Sequence, residues 1–593
     1  MKKSLTKIIS LFLCLALVFS IGCTGVYAAD DTVEETPIVE TEEVEQPNLD
    51  EFVDYVSAPM MWIESLTMLE GVFNGVGSDL SFADNIMKVL YNVLNVIVEK
   101  LVQVICKLYP NPNNWQDLAD YDSDEVGFMD GRDTYQTSAA AGNYWSLGYA
   151  SRSLVPENID NGEYYIGRDL MNKKAIGVYD DMRIRVAVID DNSGEGAVVL
   201  GAIDCLGVTS TDVRSIRKGV MAYCEEKGID VASINIMATH AHSALDTQGV
   251  STEFFYKLLA NGFCNAFGIF DELPFMESAS SFKEYFVEQS IIAVEEAFED
   301  VEKGELYYSA IDCSEFVKDK RGLLAKEDIP KIASLYFVPD SGSEATYIAD
   351  ITCHATSFSA SNSLVGSDYI YYLDEYIKEA NGGNVVMIPG AVGQMSRDLD
   401  VDDTGLTEWE AKGSSAKALG RKFGEVIVGA DYSEKLAPVL NATHREIVIH
   451  PENSILVLAC EVKLVNNKVF VDEDGNAMMP TEMGYVEFGN RVGLALFPAE
   501  LYPEVFWGHE ITDYTNWDGT EWPYESLAKS VDGVDVYAVS LANDALGYVL
   551  TDNNFAFMGH IIGEEIADET LSVGKHMGSY LVSEYYAMIE EMK

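Results

Sequence analysis

The chain has 593 residues, 48% of them hydrophobic, enough apolar side chain for one large core with an accessory region or for two to three ordinary domains. Its 97 Asp and Glu outnumber 39 Lys and Arg, a formal net charge of −58 at pH 7. Such a surface repels phosphate backbones and anionic bilayers, which argues against nucleic acid as a partner.

The chain opens on "MKK", a basic stretch followed by the apolar "IISLFLCLALVFSIG" and a small-residue cleavage site around Ala28 or Ala29, so residues 1–29 read as an export signal. The mature protein is expected to be secreted or held at the cell surface. Lipid anchoring through Cys23 ranks second, because Ser20 stands where such signals carry an aliphatic residue. Seven scattered cysteines remain, Cys106, Cys205, Cys224, Cys264, Cys313, Cys353 and Cys460; most sit in apolar runs and read as small buried side chains, not as a disulfide framework.

Residues 30–50 are acidic and free of aromatics, a disordered spacer by composition. Residues 51–139 read as a helical accessory region. Its stretch 85–110 carries Ile86, Leu90, Val93, Ile97, Leu101, Val104 and Leu108 at helical spacing and stops at Pro110. Lys88, Glu99 and Lys100 interrupt it, so no membrane span is expected in the mature chain; packing on the main body is the default, with peripheral membrane contact through 85–109 as the alternative.

From residue 140 to 593 the chain reads as one α/β body of mixed sheets, with parallel β-α-β units flanked by helices. "RIRVAVIDDNSGEGAVVLGAIDCLG" is two strands about a Gly-containing turn, "TSTDVRSIRKGVMAYCEEKG" a helix, and "INIMATHAHS" a strand running into His240 and His242. Alternate residues of a strand share a face, so the two imidazoles are expected side by side, as a pair of metal ligands, as a ligand and its acid/base neighbour, or as a half-buried pair hydrogen-bonded to backbone. The pattern returns with "ATYIADITCHATSF", a helix, and "NVVMIPGAVGQMS", placing His354 at a strand end and Ser396 in the next loop. "RVGLALFPAE" leads to Glu500 and "VDVYAVSLANDALGY" to Tyr548. Parallel sheets carry ligands at the carboxyl ends of their strands, and two imidazoles, a carboxylate and a phenol form an acceptable donor set for zinc. Each has an ordinary alternative: His354 and Tyr548 as core side chains, Glu500 as the start of a helix.

"NIMATHAHS" resembles the Thr-His-Thr-His-Ser motif of neutral, non-lysosomal ceramidases, and "IPGAVGQMSRD" resembles that family's Gly-Asp-Val-Ser-Pro-Asn motif; their order and approximate spacing hold from residue 140 to 590. The resemblance implies one catalytic zinc per chain on His240, His354, Glu500 and Tyr548, with His242 and Arg321 assisting and Ser396 as the required serine. Three departures are visible. Gln394 replaces the acidic residue before the serine, "ALDTQGV" replaces a Gly/Pro-rich run, and only about 45 residues follow Tyr548, too few for the immunoglobulin-like domain many ceramidases carry.

The expected activity is hydrolysis of the N-acyl bond of ceramide or a related N-acyl lipid. His242 would act as general base and acid, Tyr548 and Arg321 would stabilise the oxyanion, and Ser396 would orient a substrate hydroxyl or serve as nucleophile. A zinc hydrolase of a smaller amide or ester, and a non-catalytic surface binding protein, remain open alternatives.

Overall fold

The structure is a computed structural model that describes residues 115–593 apart from several internal stretches, of which 265–279, 509–520 and 556–568 are the longest. The export signal, the acidic spacer and the apolar stretch 85–110 fall outside the described residues.

The first described strands of the body, β1 (Trp145–Ser153), β2 (Arg183–Asp190) and β3 (Ala197–Ile203), form an antiparallel meander. β2 and β3 read as near-continuous apolar runs because both faces are covered. Helix α1 (Ser210–Lys227) follows, with Thr209 before its first turn and Gly228 closing it at φ 67°. A left-handed residue there costs glycine no Cβ clash. Val213, Ile216, Val220 and Cys224 line the buried stripe of α1, each aliphatic side chain contributing about 1.5–3 kcal/mol by leaving water. The chain returns as β4 (Val231–Ala238), parallel to β3, completing the first expected β-α-β unit.

Helix α2 (Ser280–Glu299) precedes β5 (Glu302–Ile311), the short β6 (Val317–Asp319), β7 (Ile332–Pro339) and β8 (Thr346–Ile351). The second β-α-β unit is β8, α3 (Tyr369–Asn381) and β9 (Asn384–Pro389), whose strands pair in parallel. Then come β10 (Met395–Arg397), α4 (Glu408–Val428), β11 (Glu434–Lys435) and β12 (Leu440–Ile449). The last part contributes β13 (Ala477–Phe488), β14 (Val492–Leu496), β15 (Glu500–Leu501), α5 (Pro503–Trp507), β16 (Asp535–Val539), β17 (Tyr548–Val549) and α6 (Met577–Met592).

One sheet has nine strands in the order β9-β8-β7-β5-β1-β2-β3-β4, with β11 paired to β5. A six-stranded sheet is built on β12, β13, β14 and β16 with two short strands, Gln116–Asp117 and Phe470–Val471. Helices α1 to α4 cover one face of the large sheet; Leu200, Val386 and Ile388 on its other face meet Val486, Phe488 and Leu494 of the small sheet. Helix α6 packs on the far side of the small sheet. Fold class thus agrees with the sequence: mixed sheets, parallel β-α-β units and flanking helices.

The large sheet curls. β9 at one margin lies beside β2, β3 and β4 near the other. The gap is filled by the segment after β16: Ser540 donates to the Pro389 carbonyl at 2.9 Å, and Ala238 donates to the Leu541 carbonyl at 3.2 Å. The two margins are thereby bridged at their carboxyl ends.

Of the stretch expected as an accessory region, residues 115–123 and 127–139 are described, and they are bonded into this body. Arg132 is buried against Asp190 and Asp191 and donates to the Leu440 carbonyl at 2.6 Å, joining the two sheets. The six described cysteines are all unpaired, five of them buried. No helix among the described residues is long and apolar enough to cross a membrane.

Candidate metal centre

Each candidate ligand sits in a short segment beyond a strand. β4 ends at Ala238, and Thr239 and Ala241 then donate to Ile203 and Cys205 carbonyls at 2.9 and 3.0 Å. His240 lies between them at φ 61°, a left-handed conformation uncommon for a residue with a side chain. The two imidazoles of "THAHS" do converge, but strand alternation is not the cause. The kink at His240, and the bridge between Ala241 and Ala355, swing both rings towards His354. Ring centroids are 4.5 Å apart for His240 and His242, and 4.7 Å for His240 and His354.

Glu500 and Tyr548 also stand past the strands expected to present them. Glu500 opens β15 and Tyr548 opens β17, and the two are partners in a parallel ladder only two residues long. Glu500 is not the start of a helix, since α5 begins at Pro503. Its carboxylate spans the two strand-end histidines, with Oε2 3.1 Å from His240 Nε2 and Oε1 3.0 Å from His354 Nε2. Burial alone would raise this carboxyl, but the two imidazoles outweigh it and hold it down to about 2. On His240 burial works against the charged form, and the Glu500 carboxylate more than offsets it, so the imidazole rises above its ordinary value.

These groups fit a metal ion. His240 Nδ1 lies 2.9 Å from the Leu206 carbonyl and His354 Nδ1 3.2 Å from the Met395 carbonyl. A backbone carbonyl at Nδ1 leaves each ring's Nε2 to face Glu500 and a bound ion, the usual backing of a metal-bound imidazole. Glu500 Oε1 is buried yet has no aligned hydrogen bond, an acceptor left over by the protein's own donors. Ligand atoms of His240, His242 and His354 lie within 4.8 Å of one another.

Two ligand sets are geometrically open. The sequence resemblance puts His242 outside the ligands and Tyr548 inside, whereas His242 Nε2 is 3.1 Å from His240 Nε2, close to the spacing of about 3.3 Å that two nitrogens take on a tetrahedral ion. His240, His354 and Glu500 belong to both sets, since the one carboxylate reaches both rings.

The serine loop is tied to the same centre. Ser396 lies in β10, opposite Lys318 of β6, and the carbonyl of its neighbour Met395 is the one that holds His354. Gln394 is left-handed at φ 57°, and its carbonyl accepts from Lys320 N–H at 3.0 Å. Arg321 follows one residue on. Its guanidinium donates to Glu504 at 2.5 and 2.8 Å and to Asp319 at 3.2 and 3.4 Å, and lies 4.3 Å over the ring of Tyr502. Sequence reasoning missed Tyr502 and Glu504. Their only signal was position, at alternate residues after Glu500 in "AELYPE".

No protein-family model matches the chain, and no curated protein matches it. Two solved structures share its architecture. The crystal structure of neutral ceramidase from Pseudomonas aeruginosa superposes with a TM-score of 0.55 at 14% identity, over 75% of this chain and 74% of that one. A ceramidase complexed with C2 does so at 0.52 and 15%, over 76% and 75%. The chain therefore has the neutral ceramidase fold, the one its histidine and serine motifs pointed to.

Proposed function

We propose that the protein is an exported, zinc-dependent amide hydrolase that cleaves the N-acyl bond of ceramide or a related N-acyl lipid into a fatty acid and an amine. The observation that carries this reading is the Glu500 carboxylate spanning His240 and His354 inside a ceramidase fold. His240, His354 and Glu500 would hold the ion, with Tyr548 as fourth ligand. Bound there, zinc supplies Lewis acidity, polarising a carbonyl and lowering the pKa of water towards about 7.

The remaining steps belong to side chains. His242 takes the proton as water oxygen bonds to the acyl carbon, and returns it to nitrogen as the C–N bond breaks. The Tyr548 phenol donates to the developing oxyanion. Ser396, in β10 just after the turn that carries Gly390 and Gly393, orients a substrate hydroxyl. Residues 140–593 form the catalytic body, residues 1–29 direct export and residues 30–50 act as spacer.

Purified mature protein reconstituted with zinc, incubated with N-acyl lipids and with short-chain amides and esters, tests the reading. Fatty acid release from the long-chain amides is expected. Turnover confined to short substrates would favour a hydrolase of smaller amides or esters, for which the altered serine loop at Gln394 speaks. No turnover of any substrate by zinc-loaded protein would sink both.

A further inference from the structure

The ring of Tyr502 packs between Arg321 and Tyr548 beside the candidate metal centre, and nothing in the proposed chemistry uses it. It is 2% exposed. The guanidinium of Arg321 lies 4.3 Å over one face, and the ring of Tyr548 meets it edge-on at a centroid distance of 6.2 Å. The Tyr502 N–H donates to the Val549 carbonyl at 3.0 Å, fixing it to the strand that carries Tyr548. On the serine side there is no room: a Cβ on Gly393 would come within 2.6 Å of Tyr502 Cδ2 and 2.8 Å of the Leu501 carbonyl.

Arg321 is in turn held from outside. Its bidentate partner Glu504 is almost fully buried, with 3% of its side chain exposed against 11% for Arg321. Four guanidinium hydrogen bonds go to Glu504 and Asp319, out of five available N–H groups. A guanidinium whose edges are engaged by two carboxylates and whose face covers an aromatic ring is placed to hold that ring, through cation–π attraction and planar fit.

We infer that Glu504, Arg321 and Tyr502 form a clamp that fixes the Tyr548 phenol at the metal centre, so that all three are positioning residues and Arg321 acts through Tyr502. The inference rests on the proposed role of Tyr548. Glu500, Tyr502 and Glu504 lie within five consecutive residues, so one segment delivers a ligand and also the support for the ligand facing it.

Cobalt(II)-loaded protein gives the test, since its visible absorption reports coordination directly, alongside steady-state turnover of an N-acyl lipid. Glu504→Gln keeps the shape and one acceptor. It is expected to lower kcat about 10-fold with KM within about threefold, to keep full cobalt content, and to move the cobalt spectrum towards that of Tyr548→Phe. In the Tyr548→Phe background the same change should cost less than about threefold, because the phenol it positions is gone. Tyr502→Phe, which keeps the ring, should stay near wild type, while Tyr502→Leu should follow Glu504→Gln; this pair carries the test if Glu504→Gln does not fold. Equal losses in both Tyr548 backgrounds, or a wild-type cobalt spectrum in Glu504→Gln and Tyr502→Leu, overturn the clamp alone. If Tyr548→Phe itself leaves spectrum and turnover unchanged, the proposed role of Tyr548 falls, and the clamp with it.

Discussion

Glu500 stands opposite Tyr548 in a parallel ladder, and its N–H donates to the Gly547 carbonyl at 2.8 Å. Directly opposed residues point to the same face, so carboxylate and phenol leave the backbone together, and a slip of one residue would turn one of them away. Zinc-reconstituted protein is therefore expected to hold about one ion per chain by elemental analysis. His240→Ala and His354→Ala should each lose most of it, because each leaves a single imidazole beside the carboxylate and the phenol, a weaker donor than imidazole. Tyr548→Phe should keep it, with two imidazoles and the carboxylate still in place. Wild-type protein that stays metal-free after reconstitution would count against the centre.

His242 separates acid/base chemistry from ligation. His242→Ala is expected to lower turnover about 10²-fold or more with zinc content unchanged, the signature of a lost proton carrier. Loss of the ion together with activity would make His242 a ligand and move Tyr548 out of the set.

Ser396 decides between two mechanisms. Its neighbours in β10 and β6 are Met395, Arg397 and Lys318, and among the described residues no histidine hydrogen-bonds its hydroxyl. Ser396→Ala should weaken turnover of a hydroxyl-bearing N-acyl lipid by about 0.5–1.5 kcal/mol, and matter much less for an amide lacking that hydroxyl. Abolished cleavage of both substrates, with an acyl group trapped on residue 396 after rapid quenching, would instead make the serine a nucleophile.

A fourth prediction concerns stability. His444 is buried where the two sheets meet, with Nε2 2.7 Å from Ser233 Oγ and Nδ1 3.9 Å from Glu482. Burial lowers its imidazole to about 4; Glu482 opposes the shift and Arg217 reinforces it. The unfolded chain binds this proton below about pH 6.5, while the folded chain refuses it until about pH 4. Stability contributed by the neutral ring is thus full above about pH 6.5 and falls by roughly 3 kcal/mol as pH drops to about 4. Denaturant unfolding across that range should show the slope in wild type and a shallower one in His444→Gln. Equal slopes would mean the ring is not held neutral.

Long apolar runs that end in a histidine, as at "INIMATH" and "YIADITCH", made the two β-α-β units and both strand-end imidazoles readable, because burial on both faces leaves a compositional trace. The Glu500–Tyr548 ladder left none, since a strand of two residues has no period to detect. The left-handed turn at His240 was equally silent: most residues that adopt it by necessity are glycines, and here tertiary bridges to Cys205 and Ala355 hold a histidine there. Tyr502 and Glu504 were hidden for another reason. "ELYPE" also fits a helix start, and only the approach of Arg321 from about 180 residues away gives those side chains a purpose.

The curl of the large sheet adds a mechanical consequence. His240 follows β4 at one margin and His354 follows β8, next to the other margin, so the centre sits on the line where the sheet nearly closes on itself. An ion bound there is a clasp, holding together two margins that share no strand-to-strand ladder and are bridged by the 540–543 segment. Its removal should leave the middle strands β1 and β2 as protected as before, while amide exchange quickens along β4, β9 and that segment, and the heat resistance of the whole protein should track the free ion concentration.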